Sequence, residues 1–65
     1  MREEIIEAIK NTLESRIGWH IMNINIIMDK AVGVAEHPDT LQTVEEELEK
    51  VANYNDKLEV LNKYF

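Results

Sequence analysis

Residues 36–40, with the sequence EHPDT, contain the only proline of the 65-residue chain and separate two segments with different apolar patterns. Residues that precede a proline avoid the α-helical region, so a first helix is expected to stop near Glu36 or His37. Proline suits the first turn of a helix, and Asp39 or Thr40 can cap the helix that follows. The sequence therefore predicts helices at about residues 3–36 and 40–63, joined by a turn at about residues 37–39.

Apolar residues before this break recur with the period of an α-helix, which is about 3.6 residues. Their positions are Ile6, Ile9, Leu13, Ile17, Ile21, Ile24, Met28, Ala31 and Ala35. The β-branched run from Ile21 to Ile27 resembles a strand locally, but the helical period continues on both sides of it. Gly18 weakens a helix by about 1 kcal/mol relative to alanine. One long helix, straight or bent at Gly18, is favoured over two short ones.

Apolar residues after the break follow a heptad repeat instead. The repeat comprises Leu41, Val44, Leu48, Val51, Asn55, Leu58, Asn62 and Phe65. A heptad repeat is typical of coiled-coil packing with a left-handed twist. Folding the chain at residues 37–40 places Met28 opposite Leu48, and Ile17 opposite Leu58. The predicted fold is an all-α antiparallel two-helix hairpin that forms a single domain over residues 1–65.

The first helix carries a second row of positions at heptad spacing, which we call the outer seam. It consists of Ile5, Ala8, Thr12, Ser15, Trp19, Met22 and Ile26. One partner helix fills one groove, so the second helix cannot cover this seam as well. We therefore predict an association surface at Trp19, Met22 and Ile26, with a homodimeric four-helix bundle as the simplest assembly. A higher oligomer, another protein, or a first helix that folds back at Gly18 are the alternatives.

The composition excludes several classes of protein. The chain has no cysteine, two glycines and a net charge of −6, which excludes a disulfide scaffold, a cysteine-based zinc or redox centre and a two-domain enzyme. A domain of this size buries only about 60% of the surface of its unfolded chain, which favours association. No apolar run approaches the about 20 residues of a membrane span. No targeting segment is recognised, so a cytoplasmic protein without membrane contact or cofactor is expected.

His20 is the side chain best suited to acid–base chemistry. In the predicted register it faces Asn55 and Asp56, with Arg16 one turn away. A His–Asp pair can act as a general base with its orienting group, but no nucleophile accompanies this one. The pattern favours a polar cluster in the core over a catalytic site, and the chain is not expected to be an enzyme. Protonation of His20 is hypothesised to shift stability or association.

Two further charged groups have structural interpretations that outweigh the functional ones. His37 lies near Glu36 and Asp39, but its spacing from His20 matches no metal-ligand pattern, so no metal site is predicted. The acidic group Glu45, Glu46, Glu47 and Glu49 is interpreted as a solvated helix face near the N-terminus of the second helix. The alternative is an acidic surface that docks a basic partner or mimics nucleic acid.

The predicted architecture is similar to that of Rop-type RNA-binding hairpins, which also dimerise as four-helix bundles. The similarity concerns fold and size, and no motif is shared, so it does not by itself imply RNA binding. The seven basic residues are dispersed along the chain, which disfavours nucleic acid as a partner. The expected function is a small homo-oligomeric interaction or regulatory module. The alternatives are a Rop-like RNA-binding regulator or an acidic inhibitor, of the kind found as phage or mobile-element accessory proteins.

Overall fold

The computed structural model describes residues 1–30 and 38–65, which form two helices. Helix α1 spans Arg2–Lys30 and helix α2 spans Pro38–Tyr64, and the two pack along their length as an antiparallel hairpin. The predicted all-α helical hairpin is confirmed. Neither helix offers a segment of the length and apolarity that crossing a bilayer requires, over the residues described.

The helix termini follow local rules. Helix α1 passes through Gly18 without a break, with Glu3 and Glu4 in its first turn and Lys30 in its last, as the helix dipole favours. Helix α2 begins at Pro38, where proline needs no hydrogen-bond partner for its nitrogen. The predicted second helix at 40–63 is thus confirmed with slightly longer ends. The predicted continuation of the first helix to residue 36, and residue 37 of the turn, lie outside the described residues.

A narrow row of side chains joins the two helices. Leu13 and Ile24 of α1 are the apolar residues that become buried in the described part of the chain. Val44, Val51, Leu58 and Leu61 of α2 lie half-buried against α1. Glu47 is also buried within this row. The core is therefore a single interhelical layer, interrupted near its middle by a carboxylate.

The face of α1 that meets α2 differs from the predicted stripe. Ile9, Ile21 and Met28 are exposed, whereas the positions turned toward α2 advance in steps of four and three. These positions are Ile6, Lys10, Leu13, Ile17, His20, Ile24 and Ile27. Two helices that wind around each other keep a period of 3.5 residues in contact, not 3.6, which explains the difference.

The register of the hairpin also differs from the predicted one. The side chain of His20 meets Glu47, rather than Asn55 or Asp56, and the guanidinium of Arg2 donates a hydrogen bond of 3.2 Å to the backbone oxygen of Phe65. Both pairs are centred between residues 33 and 34, not on Pro38. The prediction was wrong because it put proline in the middle of the turn, whereas Pro38 belongs to the first turn of α2.

Candidate functional site

A polar cluster of His20, Asn23 and Glu47 lies between the two helices. The carboxylate of Glu47 accepts a hydrogen bond of 2.6 Å from Nδ1 of His20 and one of 2.5 Å from Nδ2 of Asn23. His20 and Asn23 project from one side of α1, three residues apart, so both reach the same carboxylate on α2. Among the described residues, no buried side-chain nitrogen or oxygen lacks a partner.

The electrostatics of the cluster favour an ionised Glu47. Burial alone would raise the pKa of this carboxyl group. The hydrogen bonds from Asn23 and His20 act in the opposite direction, as do the electrostatic interactions with His20 and with Lys50, whose Nζ lies 3.9 Å from Glu47 Oε2. Together these interactions hold the pKa of Glu47 below its usual value. Glu47 is therefore ionised at neutral pH and joins the helices as a carboxylate that accepts hydrogen bonds from α1.

Two aromatic rings lie beside the imidazole of His20 and nearly parallel to it. The centroid of the Trp19 ring is 5.9 Å from that of the imidazole, and the centroid of the Tyr54 ring is 5.8 Å from it. The guanidinium of Arg16 and the ammonium of Lys57 both lie over Tyr54, at 5.5 and 5.6 Å from its centroid. Such cation–π contacts place positive charge along this edge of the hairpin.

The structure brings together part of the predicted cluster. Arg16 and His20 both contact the ring of Tyr54, whereas Asn55 and Asp56 are exposed. Glu47, which the sequence assigned to the solvated acidic face, supplies the carboxylate instead. The signal for it was the spacing of Thr40, Glu47, Tyr54 and Leu61, a seven-residue repeat that these four residues share.

The predicted association surface is open to solvent. Trp19 is 71% exposed, Met22 63% and Ile26 46%, and all three lie on the side of α1 away from the row that meets α2. The indole of Trp19 lies nearly parallel to the neighbouring ring of His20, and the hairpin leaves most of it uncovered. Association through these residues stays a prediction.

Two open apolar grooves run between the helices as well. One is lined near the start of α2 by Ile27, Met28, Leu41, Val44 and Leu48. The other lies near the chain ends and is lined mainly by Ile5, Ile6, Ile9, Leu61 and Phe65. Each of them is a rival to the outer seam as a place where a partner could dock.

The cluster has limited chemical scope. A carboxylate and an imidazole are present, but both are engaged in hydrogen bonds that join the helices. Residues 1–30 and 38–65 hold no group of three or more histidine or acidic side chains arranged to bind a metal ion. Glu36 and His37, two of the residues considered for such a site, lie outside the described residues. No family model, curated protein or solved structure matches the chain.

Proposed function

We propose that the chain is a non-enzymatic, self-associating helical hairpin that acts as an interaction or regulatory module in the cytoplasm. Its working form in this proposal is a homodimeric four-helix bundle. The supporting observation is the amount of surface that one hairpin exposes, 5292 Å². A compact monomer of 7.6 kDa exposes about 4,300 Å². The excess of about 1,000 Å² is close to the about 800 Å² that each partner buries in a standard interface.

The shape and chemistry of the excess surface support the same proposal. The radius of gyration is 15.2 Å, against about 11 Å for a compact domain of 65 residues. The hairpin is a rod of 51 × 16 × 12 Å, thin enough for one side of each helix to stay uncovered. Trp19, Met22 and Ile26 occupy the uncovered side of α1, and aromatic and methionine side chains are enriched at protein interfaces.

Analytical ultracentrifugation over a range of concentrations tests the proposal. We expect the wild-type chain to sediment as a dimer and Trp19→Asp to sediment as a monomer, because the interface would bury a charge. Leu48→Asp is the matched control, since Leu48 is also exposed at 52% but lies in the groove near the start of α2. A wild-type chain that is monomeric at every concentration would contradict the proposal. A dimer lost in Leu48→Asp and kept in Trp19→Asp would move the interface to that groove.

A second candidate function, binding of RNA, is favoured by the spacing of the basic residues. Five of the seven recur at multiples of seven within their helices, namely Arg2, Arg16 and Lys30 in α1 and Lys50 and Lys57 in α2. Residues at such spacing share one side of a helix in a coiled-coil pair. Arg16 and Lys57 meet over the same tyrosine ring, so the two rows lie along one edge of the hairpin. We call these five residues the basic edge.

Retention on immobilised RNA at increasing salt concentration tests this second candidate. Binding through the basic edge predicts salt-sensitive retention that the pair Arg16→Gln and Lys57→Gln weakens. Lys63→Gln is the control, because Lys63 lies outside the basic edge, over the ring of Tyr64. No retention at low salt, or equal loss in the control, would argue against RNA as the partner.

A further inference from the structure

We infer that two copies of this chain pack α1 against α1 in antiparallel orientation, around a two-fold axis that passes close to Ser15. The inference rests on the proposed dimer and adds to it the identity of the contacting helices, their direction and the residues that meet. The two arguments are the distribution of side-chain size along the outer seam and the exposure of that seam in the single hairpin.

The outer seam has a gradient of side-chain size. After Ile5 at its start, its first half carries the small residues Ala8, Thr12 and Ser15, and its second half carries the large residues Trp19, Met22 and Ile26. All six are exposed in the single hairpin, and with Ile5 they advance in alternating steps of three and four. A row with this spacing is continuous along one side of a helix, so a second helix can lie along it.

An antiparallel partner matches the two halves of this gradient. With the axis at Ser15, Thr12 lies opposite the partner's Trp19, and Ala8 lies opposite the partner's Met22. Trp19 and Met22 then each face a small side chain, as close packing requires. At the two ends of the contact, Ile26 faces the partner's Ile5. A parallel partner would instead place Trp19 against the partner's Trp19 and Ala8 against the partner's Ala8. That arrangement crowds one end and leaves a gap at the other, and both faults destabilise a packed interface.

Symmetry and electrostatics are compatible with this arrangement. A two-fold interface uses the same patch on both copies, so every contact is made twice. The dipoles of the two α1 helices oppose each other, which is the favourable orientation. Arg16 is a charged residue next to this axis, but its guanidinium is turned onto Tyr54 of its own hairpin, 5.5 Å from the ring centroid. The contact with the partner is thereby left to Ser15.

Disulfide formation between single-cysteine variants tests the orientation, because the natural chain has no cysteine. Ser15→Cys is expected to link to itself under mild oxidation. Ala8→Cys and Met22→Cys are each expected not to link to themselves but to form a mixed disulfide when combined. A size tag on one variant identifies the mixed product. Glu49→Cys, on the exposed side of α2, is the control that should stay unlinked.

Each outcome separates this inference from the proposed dimer. Sedimentation of the reduced variants establishes whether they are dimers before oxidation. If both the reduced variants and the wild-type chain are monomers, the proposed function itself fails. If they are dimers and Ala8→Cys and Met22→Cys each link to themselves, the helices are parallel and the inference is overturned. If they are dimers and none of the three seam variants links, another surface forms the dimer, and the inference is likewise overturned.

Discussion

The polar cluster is expected to determine the register in which the two helices pair. A heptad repeat presents a similar row of apolar residues after every seven positions, so a hairpin can slide by one heptad and still cover apolar surface. Buried polar groups fix one register because other registers leave them without partners. We predict that replacing the cluster by leucine, in the triple variant of His20, Asn23 and Glu47, allows a second register.

The size of the slip follows from helix geometry. Moving one helix by seven residues along the other displaces it by about 10 Å at 1.5 Å per residue. In the observed register Glu45 lies opposite Met22, eleven residues from Asn11 along α1. The axial separation of residues 11 and 45 is then about 16 Å. A slip of one heptad that moves the midpoint of the paired residues toward the C-terminus increases this separation to about 27 Å.

Spin labels on cysteines introduced at Asn11 and Glu45, both exposed, measure this separation by pulsed electron resonance. Labelled protein is diluted with unlabelled protein so that distances between copies do not contribute. We expect one distance in the background that keeps the cluster, and an added, longer distance in the triple variant. Glu49→Leu controls for a simple gain of apolar surface on α2. A triple variant with the same single distance would refute the view that the cluster selects the register.

Three other predictions concern stability, measured by circular dichroism at fixed protein concentration. Gly18→Ala should raise the free energy of unfolding by about 1 kcal/mol, since a helical alanine is favoured and the added Cβ would meet nothing within 4 Å; a lower melting temperature would contradict this. Leu13→Ala or Ile24→Ala should lower the free energy of unfolding by about 2–4 kcal/mol, and Ile9→Ala, at an exposed position, by much less. Acidification should destabilise the hairpin, because folding lowers the pKa of Glu47. As the pH falls, the carboxylate of residue 47 takes up a proton in the unfolded chain before it does so in the folded one. The stabilisation is therefore lost as the pH falls below the ordinary glutamate pKa of about 4.3. Glu47→Gln should remove that part of the acid dependence, and an unchanged profile would argue against it.

Much of the fold follows from local chemistry. Pro38 and the change of apolar period on either side of it predicted two helices and the bounds of the second within two residues. The same proline misplaced the centre of the hairpin, because its fixed φ is compatible with both a turn and the first position of a helix. Local preference therefore determined the elements, while the register depended on contacts between residues far apart in the sequence.

The face that α2 buries shows why sequence patterns alone were insufficient. Two heptad rows overlap in this helix and share Val44, Val51 and Leu58. The first adds Leu41, Leu48, Asn55 and Asn62, and the second adds Thr40, Glu47, Tyr54 and Leu61. The two leucines and the absence of a charged residue favour the first row, but the structure buries the second, where Glu47 meets hydrogen-bond donors of α1. The complement of a buried polar group lies on the other helix, so reading one helix alone could not select this row.

The candidate association surfaces differ in how far their exposure depends on the register of the hairpin. Leu41 and Leu48 are exposed in the observed register, and a hairpin paired differently would cover them to a different extent. The outer seam lies on the side of α1 opposite α2, so it stays uncovered whichever residues of α2 face α1. We therefore predict that Ser15→Cys still links to itself in the triple leucine variant, even where the distance between residues 11 and 45 has changed. Loss of that disulfide, in a variant that remains helical and dimeric, would mean that register and association are coupled and that the interface includes α2.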